Sequence, residues 1–292
     1  MKKNKKILIV GGTGFIGYYV AKKAISKKYL VNSISTRKPK KIRYIKSVKY
    51  LLCDISKKNH LNKIIKNKDY DFVVNLGGHV NHRDKEKIHK SHFIGCKNLA
   101  EVFSSKKIKS FIQLGSGAEY GNVKSPIKEN SKCRPGAYYG SSKLKATKFL
   151  QNLYKRKNFP VTILRLFQTY GPKQDSNRVI PISINKCIKN QFFPCSDGKQ
   201  LRDFVHVNDL VNAISKVFNN SNTRGQIINI GTGKPIKIKK LITTISKMIK
   251  GGYPEFGKIA LRRDETEKNF PNINKAKKIL NWLPKISLKG GL

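Results

Sequence analysis

Tyr139 and Lys143 stand four residues apart in the stretch Gly136-Ala137-Tyr138-Tyr139-Gly140-Ser141-Ser142-Lys143. On a helix that spacing sets both side chains on one face, one turn apart. A phenol ordinarily gives up its proton near pH ~10. A cation held close favours the phenolate, so such a pair can pass protons near neutral pH. Tyr138 lacks the cation, because Ser142 stands four residues on from it. Tyr-x-x-x-Lys also occurs on ordinary solvated helix faces, so its meaning depends on what surrounds it. Ser116 is the second chemical group. It follows Ser110-Phe111-Ile112-Gln113-Leu114, which reads as a strand. Ligands in open α/β sheets sit outside the carboxyl ends of the strands. A hydroxyl there can hydrogen-bond a reacting oxygen beside Tyr139, the plain alternative being a loop or capping serine.

The elements that must position these groups begin with Ile7-Leu8-Ile9-Val10, a branched apolar run that reads as a strand buried on both faces. Gly11-Gly12-Thr13-Gly14-Phe15-Ile16-Gly17 follows at once, and Tyr18 to Ser26 reads as a helix. Glycines at positions 11, 14 and 17 permit a tight turn, close approach of backbone to a pyrophosphate, and close helix–strand packing. The helix N-terminus adds unpaired N–H groups and the positive end of its dipole. Strand, glycine turn and helix in that order predict a dinucleotide site at Gly11, Gly14, Phe15, Ile16 and Gly17.

The second strand, Leu30 to Ser35, is followed by Thr36-Arg37-Lys38 where many dinucleotide sites carry an acid for the ribose 2′-hydroxyl. Two hydroxyls and two cations suit a 2′-phosphate, so NADP(H) is favoured through Arg37, with NAD(H) possible. Tyr50 to Ile55 reads as the third strand and its exit. Asp71 to Gly78 reads as the fourth, ending in Leu76, Gly77 and Gly78, where a cofactor can lie against backbone. A helix is predicted from about Lys87 to Ser105, and Val161 to Leu166 reads as a sixth strand. After Tyr170-Gly171-Pro172 the strand–helix alternation loosens.

The pattern predicts an α/β chain with a doubly wound parallel sheet. A Rossmann-type domain is expected over 1–166, with 203–220 packing back onto it, and a smaller C-terminal α/β substrate lobe over 167–292. No run of about 18 apolar residues exists, so no membrane span is predicted. The five cysteines form no metal-ligand pattern, and their odd number suits reduced thiols in a cytoplasm. The pair His79-x-x-His82 lacks further ligands at suitable spacing, and no metal is expected. The formal charge of +46 raises nucleic-acid binding as a second functional class. Yet the basic residues are spread along the whole chain and few are Arg, whereas nucleic-acid readers concentrate charge and use Arg. No specific nucleic-acid partner is therefore expected. The field should attract anionic substrates.

Taken together, these residues resemble the extended short-chain dehydrogenase/reductases, in their branch of nucleotide-sugar epimerases, dehydratases and reductases. The resemblance rests on Gly11 to Gly17, Asp54-Ile55, Ser116 to Gly121, Tyr139 with Lys143, Leu164-Arg165, and Tyr170-Gly171-Pro172. It continues in Arg202-Asp203-Phe204-Val205-His206-Val207, Asn229-Ile230-Gly231-Thr232-Gly233 and Leu280-Asn281-Trp282-Leu283-Pro284. It implies a parallel Rossmann sheet of about seven strands. It also implies Tyr139 as general acid/base, Lys143 holding the nicotinamide ribose, and Ser116 bonding the substrate oxygen. Asp54 and Ile55 would flank the adenine. Arg202 and Arg262 would bind the diphosphate of a nucleotide-linked sugar, and a homodimer is possible.

Departures from the family pattern narrow the reaction. Dehydrating relatives carry an acidic residue or an Asp-Glu pair just after the active-site Ser or Thr, where this chain has Gly117 and Ala118. Glu119 comes one place later. Gln168 and His92 each stand where relatives often have Asn. The expected reaction is reduction of a nucleotide-linked 4-keto-6-deoxy sugar at C4 with hydride from NADPH, Tyr139 donating the proton. The alternative is a 4-epimerase with tightly bound NAD. From other classes, a non-catalytic cofactor-binding or polyanion-binding protein stays open.

Overall fold

The computed structural model describes residues 4–79, 84–261 and 265–292. The first half alternates strand and helix: β1 (Lys6–Val10), α1 (Phe15–Ser26), β2 (Leu30–Ser35), β3 (Val48–Leu52), α2 (Lys58–Ile65) and β4 (Phe72–Asn75). Next come α3 (Lys85–His89), a π-helical turn at Lys90–Ile94 and α4 (Gly95–Ser104), which together make one helical run. Then follow β5 (Ser110–Ser116), α5 (Tyr138–Lys157) and β6 (Val161–Leu166). Alternating Ile7, Ile9 on one side and Leu8, Val10 on the other put apolar side chains on both faces of β1. Only a sheet covered on both faces can bury such a strand.

The main sheet is parallel throughout, with seven strands in the order β11-β6-β5-β4-β1-β2-β3, where β11 is Ile227–Ile230. Between β6 and β11 lie β7 (Gln168–Tyr170), α6 (Val179–Ile188), β8 (Phe192–Cys195), β9 (Leu201–Arg202), β10 (Phe204–His206) and α7 (Val207–Val217). Strand order reverses between β1 and β4, the point where doubly wound sheets open a ligand crevice. One face of the sheet is packed by α1 and α7 through Ile7, Ile9, Phe72, Leu210, Ile214 and Trp282. The other is packed by α4 and α5 through Leu8, Val73, Phe111, Leu99, Phe103 and Leu150.

The rest of the chain is β12 (Ile236–Lys237), α8 (Ile238–Ile249), β13 (Tyr253–Phe256), β14 (Lys268–Asn269), α9 (Asn274–Leu280) and α10 (Leu288–Gly291). A separate small core joins Ile180, Phe193, Phe204, Leu241 and Ile245 from α6, β8, β10 and α8. Phe204 thus faces this core while its neighbour Val205 faces the sheet. The C-terminal stretch is tied down by Asp209, whose carboxylate accepts from the Lys285 and Ile286 amides at 3.0 and 2.9 Å. The Asp209 carbonyl takes the indole N–H of the buried Trp282 at 3.0 Å. No described helix is long and apolar enough to cross a membrane.

Candidate active site

The glycine turn sits at the carboxyl end of β1. Gly11 has φ +79, and a Cβ there would stand 3.0 Å from the Leu76 carbonyl. A Cβ on Gly17 would stand 2.3 Å from the Gly11 carbonyl oxygen, so α1 rests directly on the turn. Gly14 caps α1 in an extended conformation with no side-chain acceptor, leaving the first amides of the helix, beginning with Phe15 and Ile16, without a capping group. The helix begins at Phe15, three residues before the sequence pattern suggested. Gly12, which the spacing rule passes over, is as constrained: its Cβ would lie 2.4 Å from Ser33 Oγ.

The floor of the crevice is Leu76-Gly77-Gly78. The Leu76 amide pairs with the Val10 carbonyl at 2.9 Å, and the Gly77 amide with Asn75 Oδ1 at 3.1 Å. Asp54 closes a turn by accepting from the Ser56 amide at 2.9 Å, and Ile55 is buried against Gly77 and Gly95. Arg37 is exposed, two residues beyond β2.

A strap crosses between the connections that leave β2 and β7. Arg43 donates Nε to the Lys173 carbonyl at 3.1 Å and Nη2 to Asp175 at 2.9 Å. Lys173 Nζ donates to the Tyr18 hydroxyl at 2.9 Å and to the Ile42 carbonyl at 2.6 Å. The Tyr19 hydroxyl donates to the Pro172 carbonyl at 2.9 Å. The strap therefore passes over the first turns of α1, next to the glycine turn.

Tyr139 and Lys143, on α5, stand beside the end of β5, the strand that closes with Ser116. Lys143 is 6 % exposed and donates Nζ to the Leu114 carbonyl at 2.8 Å. The same ammonium lies 6.0 Å from the centre of the half-buried Tyr139 ring. Tyr138 is 41 % exposed, and its ring neighbours His89. Gly140 lets α5 start hard against the turn after Ser116, since a Cβ there would lie 2.3 Å from the Ala118 carbonyl oxygen. Ser116 Oγ accepts from the Ala118 amide at 3.1 Å, which leaves its own proton to donate.

Glu119 points inward. It accepts from the Ser116 amide at 2.8 Å, the Thr147 hydroxyl at 2.8 Å and Arg165 Nε at 2.9 Å. Both charges are buried, Glu119 at 0 % and Arg165 at 2 % exposure. Burial is the largest influence and opposes the Arg165 charge, but Glu119, Tyr120 and Cys133 together outweigh it and raise the guanidinium pKa. The Arg165 head also lies 4.4 Å from the Tyr120 ring centre. Burial pushes the Tyr120 phenol up to about 12, and its hydroxyl donates to Asn229 Oδ1 at 2.7 Å.

On the lobe side, Gln168 is exposed on β7, its amide bonded to the Asp203 carbonyl at 3.1 Å. Arg202 is buried. It forms an ion pair with Glu265 and donates to the Thr266 and Leu201 carbonyls, each at 2.7 Å. Asp203 accepts from the Thr232 amide at 2.7 Å, and burial raises its carboxyl pKa. Arg262 and His82 lie outside the described residues, among which no cluster of three metal-ligating side chains occurs.

A model of the NAD dependent epimerase/dehydratase family matches residues 7–231. A putative UDP-glucose 4-epimerase of Methanocaldococcus jannaschii is 30% identical over 98% of this chain and 95% of its own length. A dTDP-D-glucose 4,6-dehydratase of Dictyostelium discoideum is 28% identical over 83% of this chain and 62% of its own. Among solved structures, the UDP-glucose 4-epimerase of Thermotoga maritima with UDP-glucose superimposes with a TM-score of 0.93. It is 26% identical, with 98% of this chain and 96% of that one covered.

Proposed function

The chain belongs to the NAD dependent epimerase/dehydratase family, and from that membership we propose that it interconverts the C4 epimers of a nucleotide-linked sugar through a transient 4-keto sugar. The observation that carries the reading is Lys143, bonded to the Leu114 carbonyl of the strand that ends in Ser116 and 6.0 Å from the Tyr139 ring centre, on the same carboxyl edge of the sheet as a turn in which Gly11 and Gly17 leave no room for a side chain. That turn fits a dinucleotide: backbone at Gly11 to Gly17 and the start of α1 would hold the pyrophosphate, and Leu76 to Gly78 would line the way to the reacting end. Asp54 and Ile55 would take the adenine side. Bound there, a nicotinamide supplies a hydride acceptor for the sugar carbon and a donor for its return.

Tyr139 removes the proton of the C4 hydroxyl as that carbon is oxidised and gives it back when the carbonyl is reduced. Lys143 is fixed by the Leu114 carbonyl, and its positive charge stabilises negative charge developing on the phenol oxygen. It would also hold the nicotinamide ribose. Ser116, its lone pair committed to the Ala118 amide, donates its proton to the sugar oxygen. Gln168 and Arg202 would line the side where the nucleotide diphosphate anchors; the same role for Arg262 rests on the sequence alone. Arg202 would then share its guanidinium between Glu265 and phosphate.

The relatives named as UDP-glucose 4-epimerases support epimerisation over the NADPH-dependent reduction that the sequence favoured. Dehydration has no general acid or base at Gly117 or Ala118, and Glu119 is spent on Arg165. Reduction of a 4-keto sugar is the second reading, favoured by the exposed Arg37 beyond β2, where a 2′-phosphate could be met. The test is incubation with UDP-, dTDP-, CDP- and GDP-hexoses and their 4-keto derivatives, followed by NMR of the sugar and by NAD(P)H absorbance. Isomerisation without net cofactor consumption is the expected result. Stoichiometric NADPH oxidation by a 4-keto sugar, with no isomerisation of any hexose, would replace epimerase by reductase. Tyr139→Phe should abolish turnover while cofactor still binds, and retained turnover would remove Tyr139 from the acid/base role.

A further inference from the structure

His92 stands at the centre of the π-helical turn that joins α3 to α4. It is only 4 % exposed. Its Nε2 lies 3.0 Å from the His79 carbonyl oxygen, one residue past Gly77-Gly78 on the crevice floor. Its ring meets the Tyr139 ring at 87°, with 5.0 Å between centroids. Gly78 makes room for it, since a Cβ on Gly78 would lie 2.1 Å from His92 Cε1. Three costly features thus coincide: a widened helical turn, a buried imidazole and a glycine opposite it. Single π turns inside helices recur at functional sites, and this one carries a ring that touches both the cofactor-side floor and the phenol.

We propose that His92 is a positioning residue for Tyr139: pinned by its hydrogen bond to the turn after β4, it sets the Tyr139 ring at a fixed distance from the cofactor-facing backbone. The proposal rests on the reading of Tyr139 as the acid/base. The perpendicular ring contact is the means of positioning. The bond to the His79 carbonyl orients the imidazole, with Nε2 carrying the proton it donates. His92 acts through Tyr139 and touches no reacting atom.

The test compares His92→Ala, His92→Phe and His92→Asn in the full chain with cofactor at saturation. His92→Ala should lower kcat by about two- to tenfold, the range set by one aromatic pair, with KM within twofold and melting temperature and bound cofactor unchanged. His92→Phe keeps a ring edge against Tyr139 and should recover most of kcat. His92→Asn keeps a donor for the carbonyl but not the ring, and should behave like His92→Ala. An unchanged kcat in His92→Ala overturns the proposal. So does a kcat loss that follows melting temperature or cofactor content, or rescue by Asn and not by Phe. Tyr139→Phe run alongside separates the two claims: full turnover there fails the acid/base reading. Loss there with normal His92→Ala fails only this one.

Discussion

Replacing Glu119 tests whether the acid nearest Ser116 is structural or chemical. Glu119 is fully buried, with three hydrogen-bond donors aimed at it: the Ser116 amide, the Thr147 hydroxyl and Arg165 Nε. Removing one partner of a buried pair strands the other charge, at a cost of about 3–5 kcal/mol. That is a large part of the ~5–15 kcal/mol that holds a domain folded. For a chain of this size each kcal/mol moves the midpoint by about 2 °C, so Glu119→Ala should lower it by about 6–10 °C. The measurement is thermal unfolding by circular dichroism and calorimetry. A second variant separates charge from space. Glu119→Leu with Arg165→Met removes both charges, keeps volume, and should recover several degrees, because apolar replacements of buried pairs are often neutral. A Glu119→Ala midpoint within 1 °C of the parent, with turnover abolished, would refute the structural assignment and return Glu119 to the chemistry.

Arg37→Asp should weaken NADPH binding more than NADH binding, measured by fluorescence titration; equal losses would end the case for a 2′-phosphate contact. Gly140→Ala forces a methyl group into the Ala118 carbonyl and should cut kcat by about tenfold or more by pushing α5 off the Ser116 turn; a kcat within twofold of the parent would show that the start of α5 has slack. Arg43→Ala opens the strap at Lys173 and Asp175 and should hasten cofactor dissociation in stopped-flow displacement; an unchanged rate would show that the strap does not close the crevice.

The parts of the site that could be read from the sequence are those encoded within one or two turns of chain. Tyr139 and Lys143 share a face because helical period alone puts them there, and Gly11 to Gly17 lie between a strand and a helix that each announce themselves. What escaped reading depends on residues far along the chain. The direction of Glu119 is decided by Thr147 and Arg165. The need for glycine at 12 and 140 comes from Ser33 and the Ala118 carbonyl. Arg43 is a surface cation in the sequence and a buried one in the fold, because Lys173 and Asp175 come to meet it. The π turn around His92 leaves no compositional trace, since the same residue types serve in an α turn and in a π turn. Ile227–Ile230, far from the other strands in sequence, becomes an edge strand of the main sheet through its register with Ile163 to Leu166.

The charge balance explains why these distant contacts matter so much. With 62 basic and 16 acidic residues, cations are abundant and interchangeable, while each carboxylate is scarce. Most Lys side chains stay in water, where an exposed pair is worth about 0–1 kcal/mol. Several carboxylates instead sit where a fold can be fixed at one point. Asp71 joins the Lys6 amide and Lys109 across β1, β4 and β5. Asp175 holds the strap, Asp209 the C-terminal stretch, and Glu129 the Asn229 amide of β11. Glu265 holds Arg202, and Glu119 holds Arg165 under Ser116. Several of these acceptors take backbone amides, bonds that lysine cannot replace because an ammonium has no lone pair. In a chain that repels itself, these buried or amide-bound anions are therefore the acids whose loss should reach furthest, and under the proposed function a phosphate at Arg202 would have to compete with Glu265.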